Sequence, residues 1–177
     1  MNLKSELSKR ISKEKIEEIL SYIQEKEQSR KELYHLIYDD DKIISFQALW
    51  ACSHLSPPEN QWLCNKQNDL IDQLLACQHS GKRRLLLSIL YQQPFSESFR
   101  TDLLDFCLDG ITSPKELPAA QSLCMKIAYK LCLPIPELLQ ELRSILEMME
   151  PDLLAPAARS VRRNILKAMQ KKKKRSK

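Results

Sequence analysis

The sequence predicts an all-α fold, an α–α superhelix of about nine helices stacked as antiparallel hairpins. Three observations lead there. Apolar residues recur at i, i+3 and i+4 nearly throughout, and no segment alternates with period two for long enough to make a strand. Gly81 and Gly110 are the only glycines among 177 residues, too few for the tight turns that β-hairpins draw from glycine. The helical pattern also repeats about every 38 residues, a period expected of stacked two-helix units.

The elements follow in chain order. Ile16, Ile19, Leu20 and Ile23 form a first apolar stripe, with Ser12 placed to cap its helix. Leu33, Leu36 and Ile37 form a short second stripe. Asp41 opens a third helix carrying Ile44, Ala48, Ala51 and Leu55, which the prolines of "SPPEN" stop. Leu70, Ile71, Leu74 and Leu75 mark a fourth, and Leu85, Leu86, Ile89 and Leu90 a fifth that ends before Pro94. Leu103, Leu104, Cys107, Leu108 and Ile111 mark the sixth. The seventh is expected from about Pro114 to Leu131, stopped at "LPIP". Leu138, Leu139, Leu142, Ile145, Leu146 and Met149 make the eighth, and Val161, Ile165, Leu166 and Met169 close the series.

The repeat is visible in "PAAQSLCMKIAYKL" from Pro118 and "PAARSVRRNILKAM" from Pro156. At an offset of 38, Leu85, Leu123 and Val161 coincide, as do Ile89, Ile127 and Ile165. The intervening helices keep the register: Leu104 meets Leu142, Cys107 meets Ile145, and Leu108 meets Leu146. An offset of 39 brings Phe46 onto Leu85 and Trp50 onto Ile89, which marks Trp50 as a core residue. One hairpin cannot bury its apolar face alone, so neighbours must stack into a continuous core. The expected organisation is a single solenoid domain over 1–170, with a capping hairpin at 1–40 and a basic, disordered tail at 171–177.

This pattern resembles HEAT-like and armadillo-like repeats. It is similar, more closely, to a group of small HEAT-like proteins of Bacteroidetes bacteria. The similarity runs from about Asp40 to Met169 and is carried by "SFQALWACSHL", "HSGKRRLLLSIL", "LLDFCLDGI", "MKIAYKLCLPIPELLQELRSILE" and "RSVRRNIL". Such sequences are sometimes catalogued as adenylosuccinate lyase. This chain lacks the fumarase-type lyase signature, a Ser- and Gly-rich loop with M-P-x-K-x-N. The resemblance therefore implies a HEAT-like solenoid and no catalytic residues. A more distant resemblance, at the level of fold alone, is to HEAT-like DNA glycosylases that excise alkylated bases; fold does not fix function.

Composition narrows the chemistry. Two distant glycines cannot build a phosphate-cradling glycine loop, and no cofactor motif is present. The six cysteines, Cys52, Cys64, Cys77, Cys107, Cys124 and Cys132, never form C-x-x-C, so they read as reduced, packed thiols without a metal. His35, His54 and His79 form no H-E-x-x-H and read as surface or capping residues. The charged N-terminal stretch has no secretory apolar run, and no apolar run approaches a membrane span. A cytoplasmic location is the expectation.

The interaction candidates are cationic, with one aromatic. In the 38-residue register Arg83 aligns with Arg159, so the two would project from one face of neighbouring repeats as a ladder of cations. The alternative is a solvated helix face. Arg162 and Arg163 lie beside Arg159, and Lys171, Lys172, Lys173, Lys174 and Arg175 make the tail basic. Tail contact with nucleic acid or an anionic surface would be weak and nonspecific. Trp62, after "PPENQ", is the more exposed tryptophan and could stack on a base. Acids concentrate on the second helices of the repeats: Glu97, Asp102, Asp105 and Asp109, then Glu137, Glu141, Glu147 and Glu150. An acidic inner face would repel nucleic acid. The expected function is a non-enzymatic scaffold or adaptor that binds another protein. The alternative is a nucleic-acid-binding HEAT-like protein related to the glycosylases.

Overall fold

The computed structural model describes residues 1–96 and 98–175, and of 172–175 the backbone alone. Among the described residues there are ten α-helices and no strand. They are α1 (Leu3–Leu7), α2 (Lys13–Glu25), α3 (Glu27–Leu36), α4 (Lys42–Ser53), α5 (Gln67–Ala76), α6 (Ser80–Tyr91), α7 (Thr101–Thr112), α8 (Pro118–Cys132), α9 (Pro136–Met148) and α10 (Pro156–Arg175). Single 3-10 segments lie at Glu59–Lys66 and Pro151–Leu153. The chain divides into two compact units, Met1–Asn68 and Asp69–Lys177.

In the first unit, α2 and α3 are joined by the single extended residue Lys26 and pack on each other. Ser12 caps α2, its hydroxyl accepting from the Lys15 amide, and Asp41 caps α4 by accepting from Ile43 and Ile44. The expected stripe of Ile16, Ile19, Leu20 and Ile23 is buried. The sequence pattern does not single out α1. Its five residues make too short a periodic window, yet Leu3 and Leu7 are fully buried. A buried side chain from α4 ties this end down. Gln47 accepts from the Ile11 amide at 3.0 Å and donates to the carbonyls of Leu7 and Lys9 at 2.7 and 2.6 Å.

Trp50 is half-buried and not a core residue, with its ring edge-on to His54. The buried face of α4 is instead the small-residue row of Ala48, Ala51 and Cys52, with Ile44 and Leu49. Trp50 lies two residues beyond Ala48, roughly 200° round the helix. Phe46 is likewise half-buried, whereas Leu85 and Ile89 are fully buried, so the offset of 39 does not carry equivalent core positions.

The second unit is organised around α8, which packs against α6, α7, α9 and α10. It buries Ala120, Ser122, Cys124, Met125, Ile127, Ala128, Leu131 and Cys132. The offset of 38 holds at some positions and not at others: Leu85 is fully buried where Leu123 and Val161 are not, Cys107 is buried against half-buried Ile145, and Leu146 is buried against half-buried Leu108. Ala120 and Ala158 are both buried, Ile89, Ile127 and Ile165 are all buried, and Leu123 and Val161 are both half-buried. Leu104 and Leu142 are buried in α7 and α9. The seventh predicted helix starts at Pro118, not Pro114. Leu117 precedes a proline and is held extended (φ −62°, ψ 144°), which bars a helix from passing through it.

Helices α7 and α8 approach so closely that Gly110 is required between them. A Cβ built on Gly110 would lie 2.8 Å from Cys124 Sγ. Cys107 hydrogen-bonds Cys124 in the same layer, and that bond together with burial holds its thiol well above its usual range. Burial pushes the Cys52 thiol up to about 12 and the Cys132 thiol to about 11. These are packed thiols, and all six cysteines are unbridged.

Substitutions in this layer should reveal how tightly α8 is held. Gly110→Ala gains about 0.5–1 kcal/mol of helix propensity but costs about 1–3 kcal/mol in overpacking, so the urea midpoint should fall. In a Cys124→Ala background the obstructing sulfur is gone, and the same change should be neutral or stabilising. Ile127→Ala should cost about 2–5 kcal/mol; an unchanged midpoint would contradict its place in the core.

Candidate interaction surfaces

Arg83 does not form a cation ladder. Its Nη2 meets Glu116 Oε1 at 2.8 Å, with the two side chains only 15% and 9% exposed, and its Nη1 donates to the Cys77 carbonyl. The pair joins the start of α6 to the turn before α8. Glu116 neutralises the cation at the helix N-terminus, where the dipole alone would disfavour it. The contact is end-on, leaving Arg83 Nε and Glu116 Oε2 without a hydrogen bond among the described residues.

The register that aligns Arg83 with Arg159 passes through Gln121, and the three share a task. Arg83 donates to the Cys77 carbonyl, Gln121 to that of Ser113 at 2.8 Å, and Arg159 to that of Leu154 at 3.1 Å. Each side chain clasps the connection that leads into its own helix. Reach and a donor suffice for this, which is why a neutral glutamine serves at the middle position.

Arg162 also turns inward. It donates to the carbonyls of Leu146 and Glu147, at 2.6 and 3.4 Å, in the last turn of α9. Lys130 does the same for α6, donating to Tyr91 and Gln93 at 2.8 Å each, with the rings of Tyr91 and Phe95 centred 5.2 Å from its ammonium. Burial lowers its pKa. Arg30 meets the carbonyls of Ile23 and Gln24 at the end of α2. Cations at helix C-termini satisfy orphan carbonyls and oppose the negative end of the dipole.

Arg159, Arg163 and Lys171 are exposed on α10. The backbone of Lys172, Lys173, Lys174 and Arg175 continues that helix. Their side chains, together with Ser176 and Lys177, lie outside the described residues, and so does Glu97. The remaining acids, Asp102, Asp105 and Asp109 on α7, Glu137, Glu141 and Glu147 on α9, and Glu150 just beyond the end of α9, are exposed. Asp102 pairs with Arg100 and Glu147 with Arg143.

Trp62, on the first 3-10 segment, is half-buried beside a groove of about 480 Å³. Pro58 supplies further apolar wall, Gln24, Arg30, Glu59 and Gln61 the polar rim, and Ile23, itself buried, lies behind them. Much of the rim is engaged within the chain. Glu59 accepts from the amide and hydroxyl of Ser56 and from Gln24, and these contacts hold its carboxyl below its usual range. The sequence pattern does not single out Met148, at the end of α9, or Leu153, in the connection to α10, which are 83% and 86% exposed.

The histidines serve as surface and cap residues. His79 caps α6, accepting from the Lys82 amide at 3.2 Å, and exposed His54 lies 3.0 Å from the Trp50 carbonyl at the end of α4. Among the described residues, no group of three His, Cys, Asp or Glu side chains could hold a metal. No helix there is long and apolar enough to cross a membrane.

A family model described as the HEAT repeat domain matches residues 3–169. No curated protein and no solved structure matches the chain.

The inward placement of Arg83 gives a measurable contrast. Glu116→Gln leaves a largely buried guanidinium facing an amide and should cost about 1–3 kcal/mol. Arg163→Ala, on the exposed side of α10, should shift the urea midpoint little. Equal midpoints for the two variants would remove the clasp from Arg83.

Proposed function

Because the chain belongs to the HEAT repeat domain family, we propose that it acts in the cytoplasm as a non-enzymatic scaffold or adaptor that offers a helical surface to another protein. The observation that carries this reading is the Trp62 groove. Tryptophan beside a recess is a frequent anchor point of protein interfaces, because one rigid ring buries a large area at small entropic cost. The exposed apolar part of the groove, Trp62 with Pro58, would take an apolar side chain of the partner. The polar rim is largely satisfied internally, so binding there would not strand buried charges.

The histidines support a non-catalytic reading, since His54 and His79 are placed at helix ends. The exposed acids of α7 and α9 weigh against a glycosylase-like groove, because carboxylates lining such a surface repel a phosphate backbone.

The test is affinity capture with the tagged full-length chain, followed by a titration of the captured partner against Trp62→Ala. Loss of an anchor contributing about 2 kcal/mol should weaken binding roughly 30-fold, while circular dichroism and the thermal midpoint stay near those of the parent. A partner that binds Trp62→Ala with undiminished affinity would remove the groove from the interface.

A further inference from the structure

The cations of α10 form a row along one helix. Arg159, Arg163, Lys167 and Lys171 follow one another at intervals of four, and all four are exposed. Residues four apart are neighbours on a helix surface, about 6 Å apart along the axis, so the four charges make one gently curving line. None of the four has an ion-pair partner among the described residues, and no acidic residue follows Asp152 in the chain. The opposite side of α10 is occupied, with Ala158, Ile165 and Met169 buried where the helix packs on α8 and α9.

Density matters as much as sign. Nine Lys and Arg residues lie in the 20 residues of α10. Arg162 turns inward, and the exposed row itself offers one positive charge per ~6 Å, about one for every second phosphate of a strand at ~3.4 Å spacing. The residues before Pro156 hold 18 basic and 23 acidic side chains, and those from Pro156 onward hold ten basic and none acidic. The positive charge is thus concentrated on a single element.

We propose that α10 binds the phosphodiester backbone of duplex nucleic acid through the row Arg159, Arg163, Lys167 and Lys171, independently of base sequence. This partner is distinct from the protein proposed for the Trp62 groove, and the inference does not rest on that one. Duplex is favoured over single strand because residues 156–177 contain no aromatic side chain on which an unpaired base could stack. Duplex is favoured over a lipid surface because the apolar side of α10 is committed to α8 and α9 and is not free to enter a bilayer.

The test uses the full chain and a fluorescent 20-base-pair duplex, with anisotropy read across a salt series. The variant Arg159→Gln, Arg163→Gln, Lys167→Gln, Lys171→Gln should keep its thermal midpoint. Glutamine already fills the position of Arg159 one repeat earlier, at Gln121. Binding should weaken at least ~10-fold near 100 mM salt. The slope of log K against log salt should shrink by about 3 to 4, close to 0.9 for each phosphate no longer neutralised. A charge-retaining variant, Arg159→Lys, Arg163→Lys, Lys167→Arg, Lys171→Arg, should bind as the parent does. Three results would overturn the proposal. One is an unchanged slope in the glutamine variant while removal of residues 172–177 abolishes binding. Another is loss of binding in the charge-retaining variant. The third is binding to phosphatidylserine vesicles with none to the duplex.

Discussion

The packing of the second unit depends on how closely α7 can approach α8. At Gly110 the distance is set by one missing methyl group, because Cys124 Sγ fills the space that a Cβ would need. Helix α8 is also the surface on which α6, α9 and α10 rest. A displacement of α8 by even part of an ångström would therefore be passed to three further interfaces. Interiors packed near crystal density have little slack to absorb it. The small side chains of this layer, Ala120, Cys124 and Ala128, keep α8 slim where it is most surrounded.

Around that apolar layer, polar side chains close the helix ends in a recurring way. Arg30, Lys130 and Arg162 each reach back from a later helix to the last carbonyls of an earlier one. Three of the cations are thereby withdrawn from solvent-facing duty, and Arg83 joins them through Glu116. What remains exposed is a selected subset of the positive charge, and on α10 that subset falls into a single line.

Much of this fold was legible in the chain. Apolar spacing located the helices because each buries one stripe, and the offset of 38 identified equivalent positions such as Ile127 and Ile165. Hydrophobicity did not tell Trp50 from a core residue, since orientation about α4 is decided by which row packs best, and the small row of Ala48, Ala51 and Cys52 does. Long-range partners left no local trace. Glu116 lies in a turn, far along the chain from Arg83, and nothing near either residue announces the pair. Gln47 is similar: an ordinary polar residue in a helical pattern, buried because three backbone groups of the distant α1–α2 connection converge on it. Trp62 was legible as a candidate but its groove was not, because Ile23 and Arg30 reach it from other helices.

The clasp shared by Arg83, Gln121 and Arg159 separates two properties that sequence comparison usually treats as one. What the backbone requires there is a long side chain with a hydrogen to give. Whether that side chain also carries charge makes no difference to the connection it holds. Where the charge has no buried partner, as at Arg159 but not at Arg83 with its Glu116, selection can change the electrical character of a repeat without disturbing the architecture beneath it. Descendants of one ancestral hairpin could diverge towards acidic, neutral or basic surroundings while their helices stayed superimposable.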